Sequence, residues 1–128
     1  MLMEPFVGLL VVEFRIMGAK SLKDRRRIVR SLLDHLQRKG NASVLDLGPD
    51  GSWSTAVVSA AVLAGSFALA NARVDVLEKH IAHLENQGEF EVQRRNREVM
   101  SYGDISYRTY QQRNASGDFG DSSAENQG

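Results

Sequence analysis

Phe6-Val7-Gly8-Leu9-Leu10-Val11-Val12-Glu13-Phe14-Arg15-Ile16 is the stretch on which the fold turns. Successive residues of an extended chain point to opposite sides. Phe6, Gly8, Leu10, Val12, Phe14 and Ile16 therefore share one face, and Val7, Leu9, Val11, Glu13 and Arg15 share the other. Aliphatic residues on both faces predict a strand in the middle of a sheet. Beyond it, Gly18 breaks the strand, and Ser21 followed three residues later by Asp24 is a capping-box-like helix start. That helix is expected to run to about Lys39 and to close at Gly40-Asn41, with Leu22, Ile28, Val29, Leu32, Leu33 and Leu36 as its buried stripe.

The rest of the chain extends the pattern. A short strand is expected over Ala42 to Leu47, then a turn at Gly48-Pro49-Asp50-Gly51, then a third strand from about Trp53 to Ala64. After Gly65-Ser66, Ala70, Val74, Leu77, Ile81 and Leu84 recur at spacings of four and three, which predicts a helix ending near Gln87-Gly88. Phe90 and Val92 alternate with polar neighbours from Glu89 to about Arg95, a fourth strand. The order β-α-β-β-α-β specifies an α+β, ferredoxin-like sandwich: an antiparallel sheet with strands one and three central and both helices on one face.

At 128 residues and 42% hydrophobic content, one core is expected, with the ferredoxin-like domain over residues 1–100. From Ser101 to Gly128, Gly, Ser, Asn, Gln and Asp dominate and Ile105 is the lone Ile, Leu or Val, so this segment is read as a disordered tail. Tyr102, Tyr107, Tyr110 and Phe119 are its candidate contacts for a partner. The 16 basic and 16 acidic residues balance, which leaves any nucleic-acid reading to local clustering. Absence of cysteine removes disulfides, thiolate catalysis and Cys-based zinc sites, and suits a reducing cytoplasm, the expected location. Met1-Leu2-Met3-Glu4-Pro5 carries no positive start for a signal peptide. Gly51 to Ala72 is uncharged over a bilayer-spanning length, but its serines, Asn71 and Gly65 fit a strand, a turn and a helix start better than a membrane span.

Clustering is found at the start of the first helix, where Lys20, Lys23, Arg25, Arg26, Arg27 and Arg30 crowd into one short run. The positive end of the helix dipole disfavours cations by roughly 0.3 to 1 kcal/mol each and attracts anions. At 100° per residue, Lys23, Arg27 and Arg30 fall together opposite the leucine stripe and Arg38 joins them, with Arg26 at the edge. Arg25 points nearer the apolar side, as a snorkelling or ion-paired structural residue. Lys20, Lys23, Arg26, Arg27 and Arg30 are thus the candidate nucleic-acid-binding residues, and the competing reading is a solvated face partly neutralised by Asp24 and Asp34.

Base recognition of the sheet-stacking kind needs aromatics on the open face of the central strands. The expected open face instead offers Val7, Leu9, Val11, Glu13 and Arg15 with Thr55, Val57, Ser59 and Ala61, so RNA would be held by backbone and shape. Val7, Leu9, Val11 and Val57 also define a rival use, a protein interface or homodimer. Enzymatic readings are weak. His80 and His83 lie at i, i+3 with no further ligand at a suitable spacing, His35 stands alone, and Asp46, Asp50 and Glu13 are read as solubilising carboxylates. No catalytic residue, metal or cofactor is expected. Trp53 is expected to pack at the hairpin edge.

Glu13-Phe14-Arg15-Ile16-Met17-Gly18-Ala19-Lys20-Ser21-Leu22-Lys23-Asp24-Arg25-Arg26-Arg27 resembles the opening of the small bacterial DUF503 (YlxP-like) family. The likeness continues through Asn41-Ala42-Ser43-Val44, Trp53 and Ala56, and Val76-Leu77-Glu78-Lys79, covering about Phe6 to Met100. It implies a ferredoxin-like fold, and because such genes lie near translation factors in some bacteria it suggests RNA binding; no activity is established for the family. The chain departs from the pattern in the apolar Ser66-Phe67-Ala68-Leu69-Ala70 and in its tail. The function expected is non-catalytic binding of RNA or a ribonucleoprotein surface through the basic helix start, with a homodimerising or protein-binding module as the alternative.

Overall fold

The computed structural model describes residues 4–49, 51–106, 111 and 112. Its elements are β1 (Phe6–Ile16), α1 (Leu22–Gly40), β2 (Ser43–Gly48), β3 (Thr55–Ala64), α2 (Phe67–Glu85) and β4 (Phe90–Ser101). The four strands form one antiparallel sheet in the order β2-β3-β1-β4, so β1 and β3 are central as expected. Both helices lie on one face, and the fold is the ferredoxin-like sandwich.

The covered face follows the alternation of β1. Leu10, Val12, Phe14 and Ile16 join Ala56, Val58, Ala60 and Val62 of β3 under Ile28, Val29, Leu32 and Leu36 of α1 and Val74, Leu77 and Ile81 of α2. Phe14 is fully buried and meets the Phe90 ring at 5.0 Å. Gly8 is required there, since a Cβ at this position would lie 2.5 Å from Val74 Cγ2.

Both helices start at a serine cap, the first as its sequence proposes. The Ser21 hydroxyl accepts from the Asp24 amide at 3.1 Å, and the Asp24 carboxylate accepts from the Lys20 amide at 3.1 Å. Ser66 likewise accepts from the Leu69 amide. α1 closes at Asn41, whose φ of 51° is the left-handed conformation that asparagine tolerates.

β4 is longer than expected and runs past Arg95 to Ser101. Its middle, Gln93-Arg94-Arg95-Asn96-Arg97, is polar on both faces because the strand is an edge, and its helix-side arginines are met by acids of α2. Arg95 pairs with Glu78 at 3.2 Å, and Arg97 with Asp75 at 2.7 Å and Glu78 at 2.9 Å. Ser101, placed by sequence in the tail, is instead the buried last residue of β4. Its hydroxyl accepts from the Asp104 amide at 3.0 Å at the start of a helical turn over 102–106. Tyr107, Tyr110 and Phe119 lie outside the described residues. Among those described, no helix is long and apolar enough to cross a membrane, and the uncharged stretch from Gly51 to Ala72 is β3, its following turn and the start of α2.

Candidate nucleic-acid interface

Because the leucine stripe of α1 is pressed on the sheet, the residues a half-turn away face solvent. Lys23, Asp24, Arg26, Arg27, Arg30, Ser31, Asp34 and Arg38 line a shallow depression of about 510 Å³ along this side. Five cations thus meet two carboxylates, and Asp24 is already engaged in the helix cap. Four of its five cations lie between Lys23 and Arg30, in the first half of α1, and Arg38 extends it further; from Lys23 to Arg38 the strip spans roughly 22 Å at 1.5 Å per residue. Lys20 is exposed ahead of the cap and outside the lining of this depression.

What separates these cations from the others is partnership. Arg15 pairs with Glu91, Arg25 with Asp46, Arg94 with Glu13, and Arg95 and Arg97 with acids of α2. Arg73 donates to the carbonyls of Leu63, Gly40 and Asn41, tying α2 to the end of α1. On the strip only Arg27 has an acidic partner, Glu89 at 3.2 Å, with both side chains about half exposed. Such a pair is worth little in water. Among the described residues, the side chains of Lys20, Lys23, Arg26, Arg30, Arg38 and Lys39 make no ion pair with an acid; the other cations in that position are Lys79 and Arg73, and Arg73 is held by carbonyls.

Arg25 has the structural role its helical angle indicates. It is 6% exposed and grips Asp46 of β2 with two nitrogens, at 2.9 and 3.3 Å. Its Nε has no partner among the described residues. The guanidinium, helped by the Gly48 amide and opposed by burial, holds the Asp46 carboxyl below its ordinary 3.8. Next to this pair, a second trough of about 310 Å³ separates α1 from β2, lined by Arg26, Val29, Arg30, Leu33, Asp34, Gln37, Val44 and Asp46. Sequence reading missed this trough, because it depends on how far α1 stands from an edge strand.

The opposite side of the sheet faces away from α1 and α2. Val7, Leu9 and Val11 of β1 and Val57 of β3 sit on it, only partly buried, and it lacks aromatic residues on both central strands. Leu63 and Leu45 on the same side are 62% and 57% exposed. At the Ile16 end the face becomes charged: Glu13 lies 3.8 Å from Arg94, and Arg15 lies 2.7 Å from Glu91.

The remaining candidates resolve differently. His35, solitary in sequence, meets His80 across the helix pair, Nε2 to Nδ1 at 3.0 Å. Burial, then His80 and the charges of Arg38 and Lys39, lower the His35 pKa from its ordinary 6.5. Among the described residues no three ligating side chains gather to hold a metal. Glu13 and Asp46 are separately paired with arginines, and Asp50 lies outside the described residues. Trp53 stands 49% exposed ahead of β3.

A family model described as "Protein of unknown function (DUF503)" matches residues 7–97. No curated protein matches the chain. Among solved structures, a structural-genomics protein, YJCS, is 12% identical and superposes with a TM-score of 0.51, covering 72% of this chain and 96% of its own. A de novo designed protein, Foldit4, gives 14% identity, a TM-score of 0.43 and coverages of 77% and 96%. A NIPSNAP family protein from Agrobacterium tumefaciens gives 12%, 0.41, 75% and 90%. At 12% identity the likeness to YJCS concerns the fold alone.

Proposed function

We propose that this protein, which belongs to the DUF503 family, is a non-catalytic cytoplasmic protein that binds RNA or a ribonucleoprotein surface through the solvent face of α1. The observation that carries the reading is the segregation of cations: arginines elsewhere are held by carboxylates or carbonyls, while Lys23, Arg26, Arg30 and Arg38 share one depression without such partners. Placing like charges together costs stability unless a polyanion relieves it. The strip's length of roughly 22 Å suits a run of successive phosphates. With no aromatic on the open side of β1 and β3, recognition rests on backbone and shape instead of stacked bases.

Lys23, Arg27 and Arg30 replaced together by alanine test this. RNA crosslinked to the protein in its native cells is sequenced for both forms, and binding of an enriched RNA is followed against salt. The wild type is expected to enrich defined RNA, with affinity falling by about 0.7 to 0.9 log units per log unit of salt for each phosphate neutralised. The triple variant should lose that enrichment and shallow the slope by about 2 to 3. Equal recovery of RNA by both forms, or none above background by either, overturns the proposal; in the second case an acidic protein surface becomes the partner to pursue.

A further inference from the structure

We infer that the open face of the sheet is the contact between two copies of this chain, an assignment that stands independently of RNA binding. The register lays the face out in rows. Leu63, Val7 and Met100 form one row across β3, β1 and β4; Ser43, Ala61, Leu9 and Glu98 form the next, across all four strands; Leu45, Ser59, Val11 and Asn96 form the third. Then come Val57, Glu13 and Arg94, whose two charges pair within the face.

Read by columns, the face is self-complementary. In the middle rows β1 carries the large residues Leu9 and Val11, and the adjoining β3 carries the small Ala61 and Ser59. A two-fold axis lying between these strands and along them places β1 of one copy over β3 of the other. Leu9 then sits above the partner copy's small Ala61 position and Val11 above Ser59, with the reciprocal contacts made at once, as an isologous interface requires. Stacked sheets in this aligned arrangement interdigitate side chains across about 10 Å. Leu63, 62% exposed, comes over Val7 in the same operation.

The area is sufficient. Strands of 11, 6, 10 and 12 residues, about 4.8 Å apart at about 3.4 Å per residue, give a face of roughly 640 Å², somewhat below the ~800 Å² that each partner of a standard stable interface contributes. Glu13 and Arg15 are each answered within the same face by Arg94 and Glu91. Nothing in the contact uses α1, whose basic strip lies on the far side of the sheet.

The test is the mass of the full chain by sedimentation equilibrium, where a dimer reads twice 14.2 kDa. Leu9→Lys is expected to raise the dissociation constant about 30-fold or more, with circular dichroism verifying that the monomer stays folded. The sharper variants exchange the two columns. Leu9→Ala and Ala61→Leu should each weaken the dimer, whereas the double variant, which moves the large residue onto the opposite column, should recover it. A wild-type monomer at about 100-fold above a micromolar dissociation constant, or a dimer indifferent to Leu9→Lys, overturns the assignment.

Discussion

Neighbouring residues of β1 live under different rules. A methyl added to Gly8 would collide with Val74 on the covered face, whereas Val7, one residue earlier, faces away from α1 and α2 and is only partly buried. Likewise Phe14 is completely buried between the sheet and the helices, while Arg15 reaches out to Glu91 on the opposite side. The covered face is constrained by volume, because close-packed interiors register the loss or gain of a single methylene. Within a single copy the open face is under no such packing constraint. Stability should therefore concentrate on one side of the strand and association on the other.

The largest expected effect tests that division directly. Phe14→Ala should cost about 3–5 kcal/mol in equilibrium unfolding, whereas Leu9→Ala, measured at concentrations where the chain is monomeric, should cost about 1 kcal/mol or less. Comparable losses at both positions would break the comparison.

A smaller effect probes the margin of the covered face, where Arg25 holds Asp46. Arg25→Ala should cost about 1–2 kcal/mol near neutral pH, a modest figure because the Asp46 side chain is 36% exposed. The pH dependence has a defined sign. Asp46 is held below 3.8 in the folded state, so its contribution is present above that value and is lost as pH falls through the folded pKa. His35 is lowered from 6.5, so the fold favours its neutral form, and stability declines as pH falls from above 6.5 through the lowered value. Arg25→Ala should flatten the acidic limb and leave the His35 limb, while His35→Gln should do the reverse, both read from denaturant midpoints across pH.

The smallest effect concerns the cap beneath the basic strip. Ser21→Ala removes the acceptor of the Asp24 amide and should cost about 1 kcal/mol. Any accompanying fall in RNA affinity should be slight, since Lys23 to Arg38 are borne by the helix body.

Much of this was legible before the structure, for a physical reason: period-two alternation in β1 and period-3.6 spacing in α1 directly encode which side is buried. The same angle singled out Arg25 as structural and grouped Lys23, Arg27 and Arg30. What escaped depended on distant partners. The polar middle of β4 looks like a strand's end until Asp75 and Glu78 are brought beside Arg97. The contact of His35 with His80 arises only when two helices 45 positions apart in sequence pack together. Lys20 belongs to the basic run in sequence yet lies outside the depression, because the chain turns at the Ser21 cap before reaching the helix.

The strand order has a temporal consequence. β1 emerges from the ribosome first but sits between β3 and β4, and its register with β4 joins Phe6 to Ser101. At about 5–20 residues per second, several seconds pass between synthesis of the two strands. During that interval β1 has hydrophobic side chains on both sides and, once β3 pairs with it, one bare hydrogen-bonding edge. The last strand is therefore the closing piece of the sheet, and an arrest of synthesis before Phe90 would leave one hydrogen-bonding edge of the apolar β1 unpaired.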